Sequence, residues 1–405
     1  MQIIEIPRIA NDRRSYDLSP GQFISERMEM MGWSQEQLAQ VLDITPKYLN
    51  DILNHRKGMN PDLIIKISVT LGLSYTQLMA INLEYELQNN QALKKEKEDV
   101  ERKAFIANML PYHEFVKKGW VTKASTSSEM EQNLISFYEI NNFTDLENKI
   151  KNIQERRNTL SALRQSNTHK RVPKEESLIA WLASAQLFAK KQKTPKYNVF
   201  KAQEILDNIA SYTTDEIKGI KKFIDALNGA GIKFLMLPHL PQTYVDGAAL
   251  LDSSDDSRLI VFSGRYDRID HFWFTVAHEL VHIIKHLNTE DYFIADSLDN
   301  EISQQEDREK EANSIASEKL LIYDIIKLFE EKEHLPLEKR VLECAMELQI
   351  HKAVVAGLMA FHYNKNVGYK PISYHHLSLF SGKVKEFIPK EYKRLEQEQK
   401  IKKTE

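Results

Sequence analysis

The sequence has almost no cysteine and no long apolar run. Its only cysteine, Cys344, excludes a disulfide within the chain and is typical of a protein kept in a reducing cytoplasm. Its apolar neighbours at helical spacing predict a small core residue. No run of about 18 or more apolar residues is present, which excludes a single-helix membrane span. The start, MQIIEIPRIANDRR, lacks the layout of a secretory signal peptide, so we expect a cytoplasmic protein.

An excess of positive charge is also missing. The 55 Lys and Arg residues stand against 58 Asp and Glu, a formal net charge of −3, so any nucleic-acid contact must come from a local surface. A hydrophobic content of 42% is ordinary for a globular protein, and 405 residues are enough for two or three domains with their own cores.

Residues 22–82 predict a compact unit of five helices, because apolar stripes of helical period alternate with turn residues. Ser34 and Gln37 form a capping box that begins the second helix. Thr45 and Pro46 are a cap and a first-turn proline for the third helix. The predicted buried residues of these two helices are Leu38, Val41, Leu42, Leu49, Ile52 and Leu53. The remaining helices are predicted over Phe23–Met31, Pro61–Leu71 and Ser74–Ile81.

The second and third helices, joined by a short turn, fit a helix-turn-helix. The third helix would enter the major groove of DNA. Lys47, Tyr48 and Asn50 are then candidates for contacts with base edges, because ammonium and amide groups match the donors and acceptors there. The candidates for phosphate contacts are Ser34, Gln35, Arg56 and Lys57. The alternative is a helical bundle whose polar face contacts proteins.

The stretch from Pro20 to Leu73 resembles the Xre-type helix-turn-helix of phage-repressor relatives, and most closely the HigA-type antitoxins of toxin–antitoxin modules. His55 departs from the glycine that the family usually carries after Asn54. The resemblance implies double-stranded operator DNA as a partner. We expect a homodimer, since a single helix-turn-helix reads only a half-site. The shared marks are Pro20-Gly21, Gly32-Trp33-Ser34-Gln35, Leu38-Ala39, the turn Asn54–Lys57 and Pro61-Asp62.

Beyond this unit, the pattern first predicts a helical linker and then an α+β domain. The segment ALKKEKEDVERK is predicted to be a solvated helix face, and residues 125–172 to be helical in pieces. Further on, helices are predicted at 177–191 and 213–231, and strands at 232–237, 245–251 and 258–263. The predicted fold is mainly α with a small β-sheet. The predicted domains are residues 1–83, 84–175, 176–370 and a tail at 371–405.

The stretch FWFTVAHELVHIIKH, residues 272–286, contains the pattern H-E-x-x-H. On a helix, His278 and His282 lie on one face about 6 Å apart and can hold one ion together. Glu279 can then take a proton from water on that ion. Neutral imidazole prefers zinc among the abundant divalent ions. The alternative is a core helix with two satisfied histidines, followed by an acidic surface helix.

The third ligand is sought among carboxylates of the following helix. His286 is set aside, because eight residues of helix rise about 12 Å. Glu309 is the first choice, since Ala312 and Ala316 on its face allow close approach of the two helices. Asn313, one turn further on, is expected to support a ligating histidine. The lower-ranked carboxylates are Glu311 and then Glu306.

This stretch, followed by EKEANSIAS, resembles the ImmA/IrrE family of gluzincin-like zinc peptidases over about residues 178–365. The resemblance implies a zincin-like α+β fold. It implies Zn²⁺ ligated by His278, His282 and Glu309, with Glu279 as the general base. It also implies a regulatory peptidase whose substrate is a repressor or an antitoxin. Val281 replaces the glycine that is common before the second histidine.

Together, the two resemblances predict a DNA-binding autoregulator whose zinc domain cuts a regulatory partner or its own chain. One alternative is a HigA-like antitoxin that neutralises a toxin by binding, with a structural or inactive zinc site. Another is a transcription factor that binds a small molecule in the zinc cleft. We expect an extended substrate to add as a strand at a sheet edge near Val245–Gly247. The candidates for stabilising the oxyanion are Arg265, Tyr266, His239 and His362.

Overall fold

A computed structural model of the chain describes residues 19–165, 174–215, 218–252, 257–287, 298–363, 380 and 382–393. The chain divides into two compact units, Met1–Ala104 and Phe105–Glu405. The described residues are mainly helical with one small sheet, which confirms the predicted fold class. The domain limits proposed from the sequence remain predictions.

The first unit is built from five helices around one small core. Ile24, Leu38, Leu49, Ile67 and Leu78 are fully buried in it. Each helix begins after a Ser, Thr or Asn whose side chain accepts a backbone N–H of the first turn. The helices are α1 (Pro20–Met30), α2 (Gln35–Leu42), α3 (Pro46–Leu53), α4 (Pro61–Leu71) and α5 (Tyr75–Asn89).

Three details of this unit differ from the sequence-based prediction. Helix α1 begins at Pro20, before the predicted Phe23, because Ser19 and Gln22 form a second capping box. Helix α5 continues past Ile81 to Asn89. Val41 is 58% exposed, since α2 buries Leu38, Ala39 and Leu42, and a step of about 100° per residue turns Val41 away from that stripe.

The second unit surrounds a four-stranded sheet with helices. The charged segment ALKKEKEDVERK lies on α6 (Gln91–Met109), and its side chains are largely exposed. The strands are β1 (Ser161–Gln165), β2 (Ile232–Met236), β3 (Val245–Asp252) and β4 (Ser257–Phe262). The helices between residues 110 and 230 are α7 (Tyr112–Lys117), α8 (Ser127–Tyr138), α9 (Phe143–Leu160), α10 (Glu175–Ala189), α11 (Val199–Asp207), α12 (Ile209–Tyr212) and α13 (Lys218–Gly229). The others are α14 (Ile269–Val281), α15 (Leu298–Lys319), α16 (Ile322–Glu331), α17 (Leu337–Leu348), α18 (Lys352–His362) and α19 (Val384–Phe387).

The strands follow the order β1-β3-β4-β2. Strand β3 is antiparallel to both of its neighbours, and β2 is parallel to β4. Strands β2, β3 and β4 lie where strands were predicted, at 232–237, 245–251 and 258–263. Strand β1 lies inside a segment that was predicted to be helical. Because β1 pairs with β3, the edge near Val245–Gly247 is occupied within the described chain, and the addition of a substrate strand there stays a prediction.

Both faces of the sheet carry an apolar core. On one face, α13, α14, α18 and neighbouring helices bury Phe223, Phe272, Trp273 and Phe329. On the other face, side chains of residues 106–150 pack with α10 and the sheet. Part of the segment predicted as a linker is therefore built into this core. Helix α10, predicted to be amphipathic, is buried continuously from Ser177 to Ala185 because the sheet and helices of this core enclose it.

Two further predictions concern Cys344 and the absence of a membrane span. Cys344 is fully buried in the first of these cores, and burial raises the pKa of its thiol, in keeping with a core residue. Among the described residues no single helix is long and apolar enough to cross a membrane. Only α17 and α18 taken together pass a length and composition test, and they are bent by 117°.

Candidate metal centre and helix-turn-helix surface

Helix α14 carries the H-E-x-x-H pattern beneath the sheet. Every residue from Phe272 to Val281 is buried, because α14 packs against β3, β4 and α18. Its first turn is held by Arg268, whose Nη2 lies 2.6 Å from Oδ2 of Asp270. Gly357 of α18 crosses at that point, and a Cβ there would lie 2.6 Å from the Asp270 side chain. The helix axis is thus fixed close to both the sheet and α18.

Three side chains converge at the end of α14. Nε2 of His278 and Nε2 of His282 lie 2.9 Å apart. Glu309 of α15 reaches both, with Oε2 at 3.2 Å from His278 and Oε1 at 3.3 Å from His282. The two histidines are 0% and 1% exposed, so their ring nitrogens face one another inside the protein.

Small residues bring α15 close enough for Glu309 to enter this group. Ala312 and Ala316, on the face of α15 that follows Glu309, are fully buried in the core shared with α14. Burial by itself would raise the pKa of Glu309. Hydrogen bonds from His278 and His282, together with their charge, outweigh burial and lower the pKa of Glu309 to about 2. The carboxylate is therefore ionised and able to ligate.

The donor set fits zinc. Ligand bonds of about 2.0–2.1 Å in a tetrahedral site place the ligand atoms about 3.3–3.4 Å from one another. The nitrogen–oxygen separations of 3.2 and 3.3 Å lie close to this value, and all three ligand atoms lie within 4.8 Å of one another. The nitrogen–nitrogen separation of 2.9 Å is shorter by about 0.4 Å, so the two rings would move apart slightly around an ion. Two imidazoles and one carboxylate are also the ligands of one type of catalytic zinc site, which leaves the fourth position open.

Glu279 lies beside this group and directly under β3. It is fully buried. A Cβ added to Gly247 of β3 would lie 2.9 Å from Oε1 of Glu279 and 2.6 Å from the methyl group of Thr275. The missing side chain of Gly247 therefore makes room for the carboxylate at the point where the strand crosses the helix.

His286 supports His282 from the opposite side of its ring. A π-helical turn, His282–His286, follows α14. Because four residues of such a turn complete nearly a full circle, His286 falls beneath His282, and their Nδ1 atoms are 2.8 Å apart. Nε2 of His286 then lies 3.1 Å from Oε2 of Glu311.

One set of tautomers satisfies this chain of contacts. With zinc bound, His282 would ligate through Nε2 and donate its Nδ1 proton to Nδ1 of His286, whose Nε2–H donates to Glu311. Burial lowers the pKa of His286, although Glu311 opposes this, so the ring accepts as a neutral imidazole. His286 was excluded as a ligand, and its support of His282 was not predicted, although its i+4 spacing from His282 was an available signal.

The remaining residues that were considered from the sequence are Asn313, Glu306 and the candidates for stabilising the oxyanion. No hydrogen bond joins Asn313 to His282 among the described residues, and the side chain of Glu306 lies outside them. Nη1 of Arg265 donates to the Tyr244 carbonyl at 3.2 Å, and its guanidinium lies over the Tyr266 ring. These contacts tie two of the oxyanion candidates to the start of β3.

The side chains predicted to contact DNA lie on the exposed side of α2 and α3 and the turn after α3. Lys47 and Asn50 are exposed on α3, and Tyr48 is half-buried under Lys57, whose Nζ lies 5.0 Å from its ring centre. Ser34 and Gln35 are exposed at the start of α2. Arg56 leaves 72% of its side chain exposed, 4.0 Å from Asp51.

The turn after α3 keeps the backbone shape of a glycine turn without a glycine. His55 has a φ of 59°, in the left-handed region, and its ring packs on Tyr85 with centres 4.4 Å apart. The N–H groups of Arg56 and Lys57 both donate to the carbonyl of Asp51. The two basic side chains are thus presented beside the end of α3.

Comparisons with known proteins agree with both parts of the chain. No curated protein and no solved structure matches it. Residues 24–78 match the helix-turn-helix family, and residues 236–356 match the IrrE N-terminal-like domain. The second match contains α14 and Glu309. The chain thus combines, in one polypeptide, a segment that matches the helix-turn-helix family with a segment that matches the IrrE N-terminal-like domain.

Proposed function

We propose that the protein is a DNA-binding transcriptional regulator, an antitoxin-like autorepressor, whose second unit is a zinc-dependent metallopeptidase. Its substrate would be a regulatory protein partner or the chain itself. The observation that carries the proposal is the buried group of His278, His282 and Glu309, with Glu279 beside it, in a chain that also carries a helix-turn-helix.

The side chains divide the chemistry between them. His278, His282 and Glu309 would hold a zinc ion, which would supply Lewis acidity toward water and a peptide carbonyl. Glu279 moves the protons: its carboxylate accepts a proton from the attacking water and then donates it to the leaving amine nitrogen. Its complete burial keeps bulk water out of this exchange.

Replacing Glu279 tests the peptidase. Glu279→Gln keeps the size of the side chain and leaves the three proposed ligands intact, so zinc content by atomic absorption should equal that of the parent. Cleavage of the chain itself, or of proteins encoded beside it, is followed by mass spectrometry and should stop. Identical products from both proteins would refute the assignment.

We also propose that α3 reads operator DNA. Lys47, Tyr48 and Asn50 would contact base edges, while the phosphate contacts would be made by Ser34, Gln35, Arg56 and Lys57. Lys47→Ala with Asn50→Ala should abolish sequence-specific binding in a gel-shift assay, whereas Lys57→Ala should weaken binding to all sequences about equally. Unchanged specificity in the double variant would contradict the placement of α3.

Two copies are proposed to bind one operator, because a single helix-turn-helix reads a half-site. Light scattering on the purified operator complex should therefore give two chains per site, and one chain would contradict the dimer. A toxin or a repressor is the proposed protein partner. We propose the cytoplasm as the compartment, since operator DNA lies there and Cys344 is a buried, unpaired thiol.

A second candidate function is an antitoxin that acts by binding, with zinc in a structural role. The burial of the whole His278–Glu279–His282 group favours it, since structural zinc sites are closed. The two candidate functions predict different results for the Glu279→Gln variant. An unchanged regulatory output with full zinc content favours the binding protein, and lost output favours the peptidase.

A further inference from the structure

A segment of the chain itself occupies the sheet edge beside Glu279. Strand β1 pairs antiparallel with β3 from Ser161, opposite Leu250, to Gln165, opposite Val245. The opposite side of β3 is bonded to β4. An extended polypeptide can add to a sheet only where backbone N–H and C=O groups are unpaired, so β1 takes the place that such a polypeptide would need on β3.

This place is next to the proposed proton-transfer group. Gly247 is the β3 residue under which Glu279 lies, and Arg164 of β1 is its cross-strand partner. Cα atoms of β1 also come within 8 Å of α14. Directly after this point the pairing shifts by one residue, leaving Asp246 as the extra residue of a bulge, a feature common beside active sites.

The segment is poorly suited to be a permanent strand. Its sequence, SALRQ, contains no β-branched or aromatic residue and is rich in good helix formers. It follows α9 at once, since that helix ends at Leu160 and β1 begins at Ser161. The strand conformation is thus imposed by pairing with β3, and another extended chain can supply the same backbone hydrogen bonds.

We propose that Ser161–Gln165 is an internal occupant of the substrate edge, and that a polypeptide substrate binds as an extended strand antiparallel to Val245–Leu250 after displacing it. The inference rests on the proposed peptidase function and adds its substrate-binding mode and its control. The exchange replaces the backbone hydrogen bonds between β1 and β3 with those between the substrate and β3. Small changes in the strength of the β1–β3 pairing therefore shift the equilibrium between the two states.

Peptide binding tests the exchange without relying on catalysis. The probe is a fluorescein-labelled peptide of residues 159–167, TLSALRQSN, added to the full chain carrying Glu279→Gln. Fluorescence anisotropy should show weak binding, because the attached segment competes. Ala162→Pro and Leu163→Pro are then compared. Adjacent N–H groups of a strand point to opposite sides, so one proline removes a bond to β3 and the other is its matched control.

The proline that removes the bond should tighten peptide binding by about fivefold, the effect of one net hydrogen bond. Joining β1 covalently to β3 should weaken peptide binding. Ala162 and Ala249 are cross-strand partners, so Ala162→Cys with Ala249→Cys should form a disulfide. Oxidation should abolish peptide binding, and dithiothreitol should restore it.

Three results would overturn the proposal: no disulfide at this pair, equal peptide binding by the oxidised and reduced proteins, or no gain from either proline. Each of them leaves the proposed function untouched, because the zinc-loaded parent would still cleave its partner. Conversely, peptide exchange in a protein that never cleaves would retain the strand mechanism and reject the peptidase.

Discussion

Removing His286 should weaken zinc binding although His286 is not itself a proposed ligand. His286→Ala deletes the acceptor of the His282 Nδ1 proton. The ring of His282 then loses the contact that fixes its tautomer and orientation. Loss of such a supporting contact typically lowers metal affinity by about 10–100-fold. We expect about tenfold, the lower end, because the side chain of His286 is 8% exposed and water can enter the space that it leaves.

The assay is a competition for zinc with a chromophoric chelator at fixed pH. His334→Ala is the matched control, since His334 is an exposed histidine of the same unit and its loss should leave the affinity unchanged. Glu311→Gln keeps an oxygen that can accept from His286, and Glu311 is 51% exposed, so its effect should be no more than a few-fold.

The combination of the two changes tests the order of the contacts. If Glu311 acts through His286, Glu311→Gln should have no effect once His286 is alanine, and the two effects will not add. Full zinc affinity in His286→Ala would refute the reasoning. An undiminished effect of Glu311→Gln in the alanine background would show that Glu311 acts on the zinc site by another route.

Three substitutions that remove or introduce a glycine lead to further predictions. Gly247→Ala should leave zinc content unchanged but lower any proteolytic rate by at least about tenfold, because its Cβ displaces Glu279; equal rates would contradict the contact. Gly357→Ala should lower the free energy of unfolding, measured by urea denaturation, by about 1–3 kcal/mol, since its Cβ overlaps the Asp270 side chain. Gln349→Gly should raise it by about 1 kcal/mol, because exposed Gln349 ends α17 with a φ of 53°; a loss would contradict the strain.

Features that depend on neighbours in the sequence were predictable. The capping box of Ser34 and Gln37 marks the start of α2, and the i, i+4 spacing of His278 and His282 places both rings on one face. Glu309 could be selected because its helical face also carries two small residues. The contact of His286 with His282 was missed because His286 was judged only by its distance from His278, eight residues away, although its i+4 spacing from His282 already makes the two rings neighbours.

Strand β1 shows where reasoning from local sequence stops. Every residue from Ser161 to Gln165 is compatible with the helix that precedes it, and nothing in SALRQ favours a strand. The pairing depends on β3, more than eighty residues further along the chain, whose edge would otherwise present unpaired N–H and C=O groups next to Glu279. Because the intrinsic propensity of SALRQ is helical, this segment keeps its strand conformation only while it is paired with β3. The same mismatch that hides β1 from the sequence is therefore what makes it exchangeable for another chain.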